Sequence, residues 1–180
     1  DKRLRTSVLI YGEDYTYLID CGPDFRQQML TSNCTEIDAI LFTHEHADHI
    51  AGLDDIRPYC FRQGSMSIYG LPRVIEALAQ RYAYIFATEN RYPGAPSVVP
   101  FTISSKEAFL IHTHSIMPIG VQHGDIDILG YRFGDLVYLT DVKWIHDEEL
   151  IKVLNAKVLI VNCLRVKPHP THFNLEETLT

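Results

Sequence analysis

At 180 residues and 46% hydrophobic content, the chain has the length of one domain and enough apolar side chains to fill its core. Its 23 acidic residues outweigh 16 basic ones, for a formal net charge of −7. With no basic face visible, long nucleic acids are disfavoured as substrates and short ones are not. No run approaches the roughly 20 apolar residues of a membrane helix, so no membrane partner is expected.

The start, Asp1 to Arg5, is charged and carries no signal-peptide core. Val8–Ile10 and Thr16–Ile19 are β-prone runs around Gly12-Glu13-Asp14, which reads as a hairpin. Asp20-Cys21-Gly22-Pro23 breaks the second strand, and Pro23 suits the first position of a helix through Leu30. Ala39–Phe42 is apolar without alternation, the pattern of a strand buried on both faces. From Leu71 to Ala87, helical spacing puts Val74, Ile75, Leu78, Tyr82 and Ile85 on one stripe, read as core packing. Arg91 to Pro96 is a loop, followed by strand candidates at Val98–Ile103, Ala108–His112, Ile116–Val121, Ile128–Phe133 and Leu136–Leu139. Asp147 can cap a helix through Leu154, Val158–Asn162 is a second strand of the buried type, and Asn174 can cap a helix from Leu175. Strands with interspersed helices over the whole length indicate a layered α/β sandwich in a single domain spanning 1–180. Cys21, Cys34, Cys60 and Cys163 form no C-x-x-C pair and read as reduced, mostly buried thiols of a cytoplasmic protein.

Thr43-His44-Glu45-His46-Ala47-Asp48-His49 follows directly on the strand Ala39–Phe42. Residues two apart on an extended segment point to one side, so His44 and His46 can grip one metal ion. A turn into helix would then swing Asp48 and His49 toward a neighbouring position. Two further candidates end β-runs. His123 closes Ile119 to His123 before Gly124, and Asp141 closes Val137 to Asp141. Taken alone, His123 is an ordinary strand-end histidine and Asp141 an ordinary helix cap. Beside the His44 cluster both read as ligands, with Asp141 placed to bridge two cations roughly 3.5–4 Å apart. His112-Thr113-His114 repeats the H-x-H spacing but lacks a following Asp-His pair, and reads as a solvent-facing strand. His146 reads as a helix-start surface residue and His169 as exposed.

The chain resembles the metallo-β-lactamase superfamily, whose signature is H-x-H-x-D-H. The resemblance extends to Asp20-Cys21-Gly22-Pro23-Asp24-Phe25-Arg26, to His49 through Pro58, to Gly130 through Asp135, and to Pro170-Thr171-His172-Phe173-Asn174-Leu175. These segments are similar to the superfamily's phosphodiesterase branch, which includes the phosphoribosyl 1,2-cyclic phosphate phosphodiesterase. The resemblance implies a four-layer αβ/βα sandwich of two packed mixed sheets with helices outside. It implies one metal ion on His44, His46 and His123 and a second on Asp48, His49 and a last histidine, with Asp141 bridging. That last histidine is expected beyond Thr180, and an opening strand before Asp1, so the native protein is expected to be longer at both ends. His172 is implied to face the metals and to handle the proton of the leaving group.

Histidine and carboxylate ligands suit zinc or manganese, and iron as well. Asp20 and Asp24 flank a strand-to-helix break, and either can orient a ligand histidine or cap the helix. Asp54 and Asp55 are open to capping, an ion pair with Arg57 or a role behind the ligands. Arg57, Tyr92 and Arg132 are candidates to meet phosphate oxygens. The expectation is a hydrolase of a small phosphodiester, cyclic ones included, that uses a metal-bridging hydroxide, with Asp48 orienting the nucleophile. A homodimer is the oligomer left open. An acyl hydrolase (thioesterase or lactonase), an RNA-processing nuclease of the same fold and a metal-free binding module are the alternatives.

Overall fold

The computed structural model describes residues 3–180; Asp1 and Lys2, part of the charged start, lie outside them. The chain divides into two compact units, one running to Ile103 and one of Ser104–Thr180. Each is built on one five-stranded mixed sheet, so the α/β class expected from the sequence is the class observed.

In the first unit, β1 (Val8–Tyr11) and β2 (Thr16–Ile19) form the antiparallel hairpin, and β3 (Ala39–Leu41), β4 (Met66–Gly70) and β5 (Val98–Thr102) continue it in parallel. All three residues of β3 are buried, which is why its sequence shows no alternation. Leu18, Ile40, Ile68, Phe25, Val74 and Leu78 belong to one core. Helix α1 (Phe25–Ser32) starts later than expected. Pro23 sits in a turn closed by the Phe25 amide donating to the Gly22 carbonyl (3.0 Å), and Asp24 takes the N-cap position. After α2 (Ala47–Ile50), a 3-10 turn (Leu53–Ile56) and α3 (Arg57–Gln63), the long helix expected from Leu71 divides into α4 (Pro72–Arg81) and α5 (Ala83–Phe86). The break is at Tyr82 (φ −121°, ψ 44°), whose ring packs on the core and whose hydroxyl donates to the Ile50 carbonyl. Tertiary packing here overrides the helical period, while Val74, Leu78 and Ile85 stay in the core as expected.

In the second unit the sheet order is β10-β9-β8-β7-β6, from β6 (Phe109–Ile111), β7 (His114–His123), β8 (Ile126–Phe133), β9 (Leu136–Leu139) and β10 (Val158–Val161). His112 lies in the turn between β6 and β7 (φ 53°), exposed, rather than in a strand. Helix α6 (Asp147–Leu150) gives way to turns before Leu154, where the Lys152 and Leu154 carbonyls accept from Arg132. Strand β10 corrects the expectation of a buried strand: Val158, Leu159 and Ile160 are 50, 49 and 41% exposed. It is an edge strand, paired among the described residues with β9, and an apolar run does not reveal whether it is central or marginal. Helix α7 (Leu175–Leu179) begins with a full capping box of Asn174 and Glu177. All four cysteines are free thiols; Cys21 is buried, Cys34 and Cys60 partly so, and Cys163 is exposed rather than buried. No helix among the described residues is long and apolar enough to cross a membrane.

Candidate metal centre

In the first unit the signature begins where β3 ends. Thr43 and His44 are buried, and His46 is the extended N-cap residue of α2, with φ −63° and ψ 147°. The backbone is therefore extended at His46 and helical from Ala47, and Asp48 and His49 ride on the first turn of α2. His44 Nε2 and His46 Nδ1 lie 3.0 Å apart, so two ring nitrogens converge on one point.

Behind them stands Asp20. It is fully buried and holds a left-handed backbone (φ 60°) at the end of β2, a conformation that aspartate tolerates better than most residues. Its Oδ1 accepts from the Thr43 amide (2.8 Å), and its Oδ2 accepts from Thr43 Oγ1 (2.8 Å) and His49 Nδ1 (2.7 Å). Two ring tautomers follow. Because the Thr43 hydroxyl donates to Asp20, it accepts from His44 Nδ1 (2.9 Å), which puts the lone pair of that ring on Nε2, the atom facing His46 Nδ1. His49 likewise gives its Nδ1 proton to Asp20 and presents Nε2, which is 3.6 Å from Asp48 Oδ2. The close approach depends on Gly22, where a Cβ would fall on the Asp48 carbonyl oxygen. The Cys21 amide donates to the His49 carbonyl and the Gly52 amide to the Cys21 carbonyl, lacing the β2 end to α2. Burial pushes the Cys21 thiol well up, keeping it a neutral packing group. Asp24 does not orient a ligand: it accepts from the Arg5 amide and pairs with the Arg5 guanidinium at 2.9 Å, the amide first holding its carboxyl below the ordinary range.

In the second unit His123 ends β7 and donates from Nδ1 to the Thr171 carbonyl (2.8 Å), again presenting Nε2. Gly124 follows with φ 60°, and a Cβ there would come within 2.8 Å of Thr171 Cγ2, so glycine permits the contact. Asp141 follows β9 in a left-handed backbone (φ 56°), and Asn162 grips the next residue, accepting from the Val142 amide at 2.7 Å and donating to its carbonyl. His123, Asp141 and His172 offer ligand atoms all within 4.8 Å of one another. His172 Nε2 is 3.6 Å from Asp141 Oδ1, and its ring meets the His123 ring edge to face at 4.6 Å. Burial first draws its pKa below the ordinary histidine value, and the neighbouring His123 and His169 act in the same sense against the Asp141 carboxylate. His169 is not exposed as expected: it is half-buried, with Nδ1 3.2 Å from His172 Nδ1.

The three residues expected to meet phosphate divide. Arg132 donates to the carbonyls of Gly134 (2.7 Å), Lys152 (2.7 Å) and Leu154 (2.8 Å), so its guanidinium braces the main chain. Arg57 Nη2 donates to both Asp54 oxygens (2.7 and 2.8 Å), and the Tyr84 hydroxyl donates to the same carboxylate. That settles Asp54 as the ion-pair partner. Tyr92 is 61% exposed on the loop beside Arg57. The sequence analysis missed Thr43, Thr171, Asn162 and His169. The first three act through a hydroxyl, a main-chain carbonyl and an amide whose partners only the fold reveals. His169 lies three residues from His172, but outside any helix that would give that spacing a face.

A model of the beta-lactamase superfamily domain matches residues 15–180. The chain is 38% identical over 181 residues to an octanoyltransferase of Porphyromonas gingivalis, covering 99% of this chain and 36% of that protein. It is 28% identical over 139 residues to a ribonuclease Z of a Bradyrhizobium species, covering 73% of this chain and 44% of that protein. The chain thus spans less than half the length of both curated relatives. Among solved structures, a diphosphatase from the PhnP family superposes with a TM-score of 0.89 at 36% identity, over 98% of this chain and 67% of that one. A metallo-β-lactamase-fold protein of Bacillus subtilis superposes with a TM-score of 0.76 at 20% identity, over 98% of this chain and 72% of that one, a likeness of fold alone.

Proposed function

This chain belongs to the metallo-β-lactamase superfamily of hydrolases, and on that premise we propose that it is a two-metal phosphodiesterase acting on a small phosphodiester, cyclic ones included. As the family signature implies, His44, His46 and His123 would hold one ion and Asp48 and His49 the other, with Asp141 as a further ligand. The observation that supports metal binding most directly is the set of ring tautomers. His44, His49 and His123 each have Nδ1 tied to a neighbouring oxygen, which leaves Nε2 unprotonated, the form a cation requires. Bound divalent cations lower the pKa of a coordinated water toward neutrality and offset charge on phosphoryl oxygens. The donor set fits zinc, manganese or iron.

The chain's own residues supply the rest. Asp20 and Thr43 hold the first-unit ligands in place, and the Thr171 carbonyl does so for His123. Asp48, its side chain 57% exposed, is free to orient a nucleophilic water. His172 carries a proton to the departing alkoxide through Nε2, the nitrogen facing Asp141. Hydrolysis at phosphorus is supported by the 36% identical diphosphatase structure, and the preference for a phosphodiester by the segments around Asp54, Gly130 and His172. Several relatives named ribonuclease Z favour a second reading, an RNA-processing nuclease, against which the net charge of −7 weighs. The octanoyltransferase activity belongs to a protein of which this chain spans about a third, and is not carried over.

The test is a substrate panel with zinc- and manganese-loaded protein: bis(p-nitrophenyl) phosphate, a ribose 1,2-cyclic phosphate, a precursor tRNA and a thioester. Turnover of the first two, abolished in His46→Ala and Asp141→Ala, is the expected result. Thioester turnover with none on phosphodiesters overturns it.

A further inference from the structure

His169 lies outside the residues given a role so far, yet its imidazole faces the ring proposed to carry the proton. The chain between β10 and α7 folds back on itself here, with Arg165 donating to the carbonyls of Lys167 (3.1 Å) and Pro168. That turn returns His169 to Thr171 and His172. Its Nδ1 is 3.3 Å from the Thr171 amide nitrogen, 3.3 Å from Thr171 Oγ1 and 3.2 Å from His172 Nδ1. The two rings meet at 4.9 Å between centroids and 67°.

The proton positions follow from one donor that has no choice. A backbone amide can only donate, so the Thr171 N–H points its hydrogen at His169 Nδ1, and that nitrogen carries a lone pair. A neutral His169 therefore has its proton on Nε2. His172 Nδ1 lies 3.2 Å from that lone pair, within reach to donate a hydrogen to it. Thr171 Oγ1, 2.9 Å from His172 Nδ1, cannot impose this, because a hydroxyl donates and accepts equally well.

We propose that His169 is a positioning residue that locks His172 in the tautomer protonated on Nδ1, so that the ring presents the Nε2 lone pair on its Asp141 side. This rests on the phosphodiesterase reading for its kinetic consequence, but not for the tautomer itself. In the step concerned, Nε2 gains a proton from solvent water and then loses it to the alkoxide oxygen as the P–O bond breaks. The ring returns to the neutral form protonated on Nδ1.

The experiment uses zinc-loaded protein with 15N-labelled histidine and long-range 1H–15N correlation spectra, on the wild type, His169→Ala and His169→Asn. Asparagine keeps an acceptor where the His169 Nδ1 stands. The expected spectra show His172 with a protonated Nδ1 and a bare Nε2 in the wild type and in His169→Asn, and a mixture of tautomers in His169→Ala. In parallel, the ratio of kcat on a ribose cyclic phosphate to kcat on bis(p-nitrophenyl) phosphate is measured, because p-nitrophenolate departs without needing a proton. That ratio falls roughly ten- to a hundredfold in His169→Ala, with KM unchanged, and recovers in His169→Asn. A wild-type His172 protonated on Nε2, or a His169→Ala spectrum unchanged at His172, overturns the proposal. A wild type inactive on every phosphodiester refutes the functional reading and leaves the tautomer decided by the spectra.

Discussion

Replacing Asp20 with asparagine isolates what its carboxylate does for the metal site. The backbone is not disturbed, since asparagine adopts the left-handed conformation (φ 60°) as readily as aspartate. Volume is unchanged as well. What changes is that one of two acceptor atoms becomes a donor. Oδ1 now receives the Thr43 amide, and Oδ2 receives both the Thr43 hydroxyl and His49 Nδ1. With NH2 toward His49, donor meets donor, and the imidazole relieves the conflict by moving its proton to Nε2, the atom a cation needs. With NH2 toward Thr43, a fully buried main-chain N–H loses its acceptor, which costs about 1–3 kcal/mol. The first arrangement is the cheaper. Loss of such an orienting partner lowers metal affinity about 10- to 100-fold, or roughly 1.4–2.7 kcal/mol. Zinc affinity measured by competition with a chromogenic chelator, beside a urea melt of the metal-free protein, separates binding from folding. A folded Asp20→Asn protein that binds zinc as tightly as the wild type would refute the tautomer argument.

Other substitutions probe the second unit and the metal. Gly124→Ala should destabilise the protein by about 1–3 kcal/mol, from the left-handed backbone and the approach to Thr171, as read in urea titrations; unchanged stability would show that the contact relaxes freely. Arg132→Ala should cost about 1–2 kcal/mol by releasing three carbonyls, with KM for phosphodiesters unchanged; a raised KM at full stability would return the residue to the substrate. Chelation should lower the melting temperature and zinc should restore it, since an ion at a thousand times its Kd stabilises by about 4 kcal/mol. Identical melting curves would mean that the ligands do not bind a metal ion in solution.

The legible part of the candidate site was the part written in spacing. His44, His46 and His49 stand out because H-x-H needs an extended chain and D-H a helix, and the chain makes that change at His46 and Ala47. Asp20 was visible as one of two candidates, but Asp20 and Asp24 could not be told apart without knowing that Arg5 reaches the second. The oxygens that fix ring tautomers were invisible. Thr43 is the neighbour of a ligand, and Thr171 acts through a carbonyl that every residue owns. In the fold, β3 and β10 carry the same kind of apolar run, yet one is buried throughout and the other is an exposed edge. Only sheet order separates them. The break at Tyr82 was hidden for a similar reason, since its stripe continues at helical spacing although the backbone does not.

Thr171 serves two histidines by two different atoms: its carbonyl accepts from His123 and its hydroxyl meets His172. The proposed metal ligand and the proposed proton carrier thus share one anchor, and a backbone shift of this residue displaces both at once. Changes on the two sides of the anchor should therefore fail to add. In a double-mutant cycle of Gly124→Ala with Thr171→Ser, the pair should cost less than the sum of its parts, because trimming the Thr171 methyl removes the obstacle that an alanine at position 124 would meet.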